Sequence, residues 1–274
     1  MIPLLPPHGP LFVPDLPGYG ASAPIENNDK LSVGTVLLEA LKTELSKTKI
    51  LNNNKPEKPK VVIIGHDRGA RVAHHLTVNG VSGVEILGVC LIDIVPTSTQ
   101  WQHHASPGTA SKEATGYFHW PFLANVDLAT RMIRAFGPSN FCQEMILRWA
   151  GSSASGLEKL KADDALEVYG NFLAQSHTLT ATCEDYREGA TTDVEREQRG
   201  WEQGVRIEVP LLLLYSASGI GARFAFPDVW LEWVRGGVRV GSHALGGGVG
   251  HFGPEEAPDE CADVVKAWLG TLGG

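Results

Sequence analysis

Cysteine is scarce in this chain, and what there is forms no pattern. The 274 residues hold four, Cys90, Cys142, Cys183 and Cys261, with no Cys-x-x-Cys pair and no His/Cys cluster of metal-ligand spacing. That argues against a disulfide scaffold and a metal site, and fits ordinary buried thiols in a reducing, cytoplasmic compartment. An excess of positive charge is also lacking: 23 Lys and Arg stand against 31 Asp and Glu, for a formal net charge of -8. Such a balance disfavours nucleic acid or an anionic membrane as the main partner, and leaves room for a small anionic organic substrate if the site is locally basic. No apolar run is long enough to span a membrane. The start, Met1-Ile2-Pro3-Leu4-Leu5-Pro6-Pro7, is apolar but short, proline-dense and without the basic residues of a secretion signal. The glycine run Gly246-Gly247-Gly248-Val249-Gly250 lacks a Lys-Ser/Thr ending and opens no clear helix, so it reads as a flexible loop rather than a phosphate cradle. No cofactor is expected, and there is no internal repeat.

What is present is a hydrophobic content of 43%, enough for one sizeable α/β domain or a core with an inserted lid. Apolar runs of strand length fall at 11–15, 61–65, 86–94 and 209–215, with helical patterns after several of them. That alternation predicts a mostly parallel sheet with flanking helices. Between Thr97 and Arg206 there is no convincing strand, whereas 124–136, 141–150, 156–162 and 165–176 have helical spacing. The stretch therefore reads as a helical lid inserted between two strands. The polar, proline-punctuated segment 52–60 reads as an exposed loop.

The most informative run is Val61-Val62-Ile63-Ile64-Gly65-His66-Asp67-Arg68-Gly69-Ala70-Arg71. Four β-branched residues predict a strand buried on both faces, and Gly65 and Gly69 bracket Asp67 in the small-x-nucleophile-x-small pattern of a strained strand-turn-helix elbow. A carboxylate there needs no base to become nucleophilic; it can attack an electrophilic carbon and form an ester. A strand-to-helix turn with an Asp is also an ordinary feature of α/β proteins, so the elbow needs partners. An alkyl ester of Asp67 must be hydrolysed, which requires a base to activate water and an acid to hold that base. Asp93 ends the next strand, and His251 sits in a loop before a final helix at 259–269, so Asp67, Asp93 and His251 come from the same sheet edge. The alternative acid position, Ser216-Ala217-Ser218-Gly219-Ile220-Gly221, offers no carboxylate. His66 is read as a structural residue of the elbow. Arg68 and Arg71 lie three apart on one helical face beside Asp67, suited either to clamping a substrate carboxylate or to surface ion pairs.

The segments Gly65-His66-Asp67-Arg68-Gly69-Ala70-Arg71, Asp93-Ile94-Val95-Pro96-Thr97, Tyr117-Phe118-His119-Trp120-Pro121-Phe122-Leu123, Cys183-Glu184-Asp185-Tyr186-Arg187 and Gly250-His251-Phe252-Gly253-Pro254-Glu255-Glu256-Ala257-Pro258 together resemble the haloacetate (fluoroacetate) dehalogenase and epoxide hydrolase-like branch of the α/β-hydrolase superfamily. The resemblance implies an α/β-hydrolase fold, with core segments at 1–110 and 208–274 and a helical cap at 111–207. It implies Asp67 as nucleophile, Asp93 and His251 as the water-activating pair, Arg68 and Arg71 as carboxylate clamp, and His119, Trp120 and Tyr186 as halide donors. Such a hydrolase would displace halide from a short, haloacetate-like 2-haloacid through an aspartyl ester. Epoxide opening by the same Asp-His-Asp machinery, with Tyr169 and Tyr186 as proton donors, is the first alternative. An inactive or truncated ligand-binding relative is the second. Oligomeric state stays open, a homodimer included.

One departure concerns the start of the chain. Family members ordinarily begin with two strands and a third that ends in a His-Gly-x-Pro segment, which supplies part of the oxyanion hole. His8-Gly9-Pro10 superficially matches it, but parallel neighbours need a crossover of about a dozen residues, and none fits between Leu5 and Leu11. The N-terminal strands are therefore expected to be missing, either from an incomplete enzyme or from a variant with a rebuilt site.

Overall fold

The computed structural model describes residues 1–6, 9–47 and 58–272, so His8 and most of the expected 52–60 loop lie outside the described residues. Among the described residues four strands, β1 (Lys60–His66), β2 (Glu85–Ile92), β3 (Leu211–Ser216) and β4 (Val240–Leu245), form one sheet in the order β1-β2-β3-β4, every pair parallel. Parallel pairing obliges each connection to cross over, and the helices do so. Helix α1 (Lys30–Lys47) precedes the sheet, and α2 (Arg68–Asn79) joins β1 to β2. Between β2 and β3 the chain is helical throughout: α3 (Thr97–Ala105), α4 (Ala110–Gly116), α5 (His119–Ala124), α6 (Val126–Phe136), α7 (Pro138–Trp149), α8 (Ala154–Lys161), α9 (Ala165–Leu173), α10 (Ser176–Ala190) and α11 (Thr192–Glu202). Short helices α12 (Asp228–Leu231) and α13 (Gly253–Glu256) lead to α14 (Pro258–Gly270).

The two-residue period of the strands divides the core into two layers. Cys90, Ile92, Leu212 and Leu214 meet Val265 and Trp268 of α14, with Leu5 tucked beside them. Val89, Leu91, Leu211 and Leu213 meet Ala70 and Ala73 of α2, with Trp230 and Trp233. Strands β2, from Gly88 onward, and β3 are buried on both faces, whereas that burial was expected of the strand at 61–64. It does not hold for β1, whose Val61 to Ile64 are only half-buried because β1 is an edge of the sheet among the described residues.

The strand expected at 11–15 is absent. That segment is irregular, with Leu11 54% and Val13 60% exposed. A run of Leu-Phe-Val has strand propensity, but a strand exists only by pairing, and Pro10 and Pro14 remove two donors. Instead the chain turns, the Asp15 carboxylate accepting the Ala21 N–H at 2.9 Å and the Ser22 hydroxyl donating to the Asp15 carbonyl at 2.9 Å. Among the described residues no helix is long and apolar enough to cross a membrane.

Candidate active site

Asp67 occupies the single residue between β1 and α2, at φ 46° and ψ -112°, a conformation that costs energy for any residue with a side chain. Its neighbours hold it there. The Asp67 N–H donates to Ile92 O at 3.2 Å, and the Arg71 N–H donates to Asp67 O at 3.1 Å. A methyl group on Gly65 would lie 2.4 Å from the Gly69 carbonyl oxygen, so the elbow requires glycine at 65. The same test at Gly69 meets nothing within 4 Å, so the second glycine of the pattern is not demanded by space.

Asp93 leaves the end of β2 at φ 55° and is buried. Its Oδ1 accepts the Ser216 N–H at 2.7 Å, and its Oδ2 lies 2.7 Å from His251 Nδ1. The other ring nitrogen, Nε2, is 3.9 Å from Asp67 Oδ2. Three sequence-distant residues thus form one line, carboxylate to imidazole to carboxylate, with the imidazole oriented from behind by Asp93. His66 keeps the structural part read from the sequence, its Nε2 donating to the His251 carbonyl at 2.8 Å.

Charge in this line is shared. Burial opposes charging of His251, but its contacts with Asp67 and Asp93 outweigh that and push its pKa up to about 10. Burial likewise opposes ionisation of Asp67, yet His251 and then Arg68 hold its carboxyl well below the usual range. The pair therefore rests as carboxylate and imidazolium. His66, desolvated and beside His251, is pushed down to about 4 and stays neutral.

The two arginines are buried, at 8% and 4% exposure, so surface ion pairing is overturned as a reading of them. They are held differently. Arg68 pairs with Asp185, donates to the Asp185 carbonyl at 3.2 Å, and lies 4.1 Å over the Tyr186 ring. Arg71 gives Nη1 to Val95 O and to Thr97 Oγ1, both at 3.1 Å, and stacks 4.6 Å over Trp120. Among the described residues no carboxylate lies within ion-pair distance of Arg71. Burial and the adjacent Arg68 charge lower its pKa to about 10. A buried guanidinium with no counter-anion is costly, and an anionic ligand would relieve it.

His119 and Trp120 open α5 and Tyr186 comes from α10, all three buried. The His119 and Tyr186 rings are 5.6 Å apart and those of Trp120 and Tyr186 6.0 Å apart. Burial pushes His119 down to about 3 and raises the Tyr186 phenol, so both remain neutral and protonated as donors. His119 Nδ1 is buried with no partner. All eight residues, Asp67, Arg68, Arg71, Asp93, His119, Trp120, Tyr186 and His251, line one cavity of about 780 Å³.

The alpha/beta hydrolase family matches residues 1–264. The chain belongs to that family. A fluoroacetate dehalogenase from a Burkholderia species is 25% identical to it over 257 residues, covering 93% of this chain and 76% of the relative. A proposed acyltransferase from Salmonella enterica is similar in structure, with a TM-score of 0.76 at 26% identity over 95% of this chain and 78% of that one. A proposed epoxide hydrolase from Pseudomonas aeruginosa gives a TM-score of 0.74 at 25% identity over 94% of this chain and 78% of that one. The first and third of these similarities support the dehalogenase and epoxide hydrolase-like branch.

Two supporting groups in this hydrolase-family chain escaped the sequence reading. Glu256 accepts the N–H groups of Gly250, Phe252 and Gly151 at 2.9, 3.1 and 2.8 Å, and His251 N–H donates to Trp149 O at 2.9 Å. The loop bearing His251 is thereby stapled to the end of α7. Lys30, 1% exposed, places Nζ 2.6 Å from Asp185 Oδ1 and 3.1 Å from Asp193 Oδ2. It shares the Asp185 carboxylate with Arg68. Glu256 and Asp185 both stood inside quoted motifs, next to residues already given roles; Lys30 had no local signal.

Proposed function

We propose that this protein is a hydrolase that displaces halide from a 2-haloacid through an ester of Asp67. The observation that carries the reading is a carboxylate nucleophile aligned with a His251–Asp93 pair in a cavity that also holds two buried guanidiniums. The substrate carboxylate would lie against Arg71 and Arg68. Asp67 Oδ attacks the halogen-bearing carbon; the carbon–halogen bond breaks with its electron pair, and the halide leaves toward His119, Trp120 and Tyr186. Neutral N–H and O–H donors suit that charge, because it develops only as the bond breaks.

Esterification then prepares the second step. It removes the Asp67 charge that helped keep His251 protonated, so the imidazole loses its proton more readily and can take one from water. Hydroxide adds to the ester carbonyl, and collapse releases the 2-hydroxy acid and restores the Asp67 carboxylate. One water is consumed, and one halide and one proton are released. Asp67 is the residue that caps the α2 N-terminus, whose first amides have no acceptor within the helix and are the candidate donors to the oxyanion that develops on addition. In this reading residues 111–207 act as a cap over core segments 1–110 and 208–274.

Epoxide opening keeps support from Tyr186 and from the Pseudomonas aeruginosa relative. Tyr169, the other tyrosine considered for it, donates its hydroxyl to Glu255 at 2.9 Å. Incubation with bromoacetate, chloroacetate, fluoroacetate and styrene oxide, followed by halide and diol assays, separates the two. Halide release with a carboxymethyl adduct on Asp67 in His251→Gln is the expected result. Diol without halide would assign epoxide hydrolysis, and no product with an unmodified Asp67 would leave a ligand-binding relative.

A further inference from the structure

We propose that the acid taken by this site carries an apolar chain on its halogen-bearing carbon, and that the chain lies in the arm of the cavity lined by α7 and α9. The proposal rests on the aspartyl-ester reading and specifies its substrate class. The first ground is size. A cavity of about 780 Å³ is of the order that encloses a drug-sized ligand, and a two-carbon haloacid leaves most of it empty.

The second ground is an apolar lining. Helix α7 has no fully buried residue, yet Phe141, Cys142, Met145, Ile146 and Trp149, linked by i+3 and i+4 steps, all line the cavity. Phe172 and Leu173 of the adjacent α9 line it as well, and Phe172 is 37% exposed. These α7 residues are half-buried by protein, and the part of each that stays uncovered lies along the cavity, where an apolar ligand would complete its burial.

The third ground is position. Phe141 and Leu173 rest on the cluster that contains Trp120 and Tyr186, so the arm begins beside the proposed halide donors. The helix pair is fixed rather than splayed: Ser139 Oγ donates to Gly170 O at 2.9 Å, and a methyl group on Gly170 would meet Ser139 at 3.1 Å. With the carboxylate at the arginines and the attacked carbon at Asp67, the remaining substituent of that carbon has the arm to occupy.

The test is bromide release from bromoacetate, 2-bromobutanoate, 2-bromohexanoate and 2-bromooctanoate, with Asp67 esterification followed by intact mass in His251→Gln. Among the 2-bromoalkanoates, whose attacked carbons are equally substituted, kcat/KM is expected to rise about three- to fourfold per added methylene from 2-bromobutanoate until the arm is filled. A flat or falling profile across that series, with bromoacetate still esterifying Asp67, would overturn this proposal and leave the aspartyl reading standing. Failure of every acid to esterify Asp67 would overturn both. Ile146→Trp and Leu173→Trp narrow the arm from α7 and from α9, and each is expected to lower the 2-bromooctanoate to bromoacetate ratio of kcat/KM by about tenfold or more. An unchanged ratio in both would place the chain elsewhere. Octanoate, which has no leaving group, is expected to raise the Tm more than acetate does; equal shifts would count against the arm without reference to turnover.

Discussion

The floor of the cavity and its roof are built by opposite means. At the floor, Asp67, Asp93 and His251 stand at the ends of β1, at the end of β2 and after β4, and nearby polar groups already have partners: Asp93 binds both Ser216 and His251, and Glu256 holds three amides around the base. At the roof, His119 Nδ1 lacks a partner and the apolar residues of α7 along the cavity are only half-buried. Interactions satisfied within the protein fix geometry, and unsatisfied ones are left for a ligand. The comparison therefore assigns chemistry to the sheet end and selection to the helices.

The sharpest way to break the floor is to remove its proposed nucleophile. Asp67→Asn keeps the shape but not the charge, and turnover is expected to fall by about 10⁴-fold or more, with no adduct by intact mass. His251→Gln should cause a comparable loss of turnover while the ester accumulates. Equal adduct levels in the wild type and His251→Gln during turnover would remove His251 from the hydrolytic step.

The next effect tests where floor and roof are joined. Lys30 Nζ contacts Asp185 and Asp193 at side-chain exposures of 9% and 0%. Lys30→Met leaves those carboxylates buried with less compensation, and the expected loss is about 3–5 kcal/mol, read as a lower denaturation midpoint with an unchanged m-value. With Asp185 left to Arg68 alone, KM for a haloacid should rise more than kcat falls, and Lys30→Arg should restore part of both. A loss below about 1 kcal/mol would mean that the contact is not the joint it looks like.

The same division explains what the sequence disclosed. The elbow, Asp93 and the His251 loop were legible because a buried parallel strand is a run of β-branched residues and its carboxyl end is where polar residues begin, as Val61 to Asp67 and Ile86 to Asp93 show. The buried carboxylates of α10 and α11 were not. Asp185, Asp193 and Glu197 carry no local sign of burial, because Lys30, Arg68 and His74, which contact them, come from other elements. Strand β4 was missed because Val-Gly-Ser-His-Ala-Leu is small and polar, as an edge strand with one flank open can be. The run at 11–15 misled in the opposite direction, having strand chemistry and no strand beside it.

Buried histidines give a third test, on stability against pH. Burial lowers His75 to about 4 and His119 to about 3, so between these values and about 6.5 the unfolded chain binds protons that the fold does not. Their contribution is complete above about 6.5 and is lost as pH falls, on the order of 3 kcal/mol for each histidine. His251 works the other way: its stabilisation is present below about 6.5 and is lost as pH rises toward 10. The Tm should therefore fall from neutrality toward pH 4, and His119→Gln should flatten that limb. An unchanged slope would show that His119 titrates normally.

The smallest expected effect separates the two glycines that bracket the nucleophile. Gly65 is locked by the backbone of Gly69 and Ala70, whereas Gly69 lies in the first turn of α2 with nothing within 4 Å of an added methyl group. Gly69→Ala should thus stabilise the fold by about 0.4–1 kcal/mol, chiefly by restricting the unfolded chain, with haloacid turnover retained. The measurement is a rise in the denaturation midpoint alongside an unchanged kcat. A drop in both would mean that the approach to Asp67 needs a bare backbone at position 69, and that substrate, rather than protein, is what the second glycine makes room for.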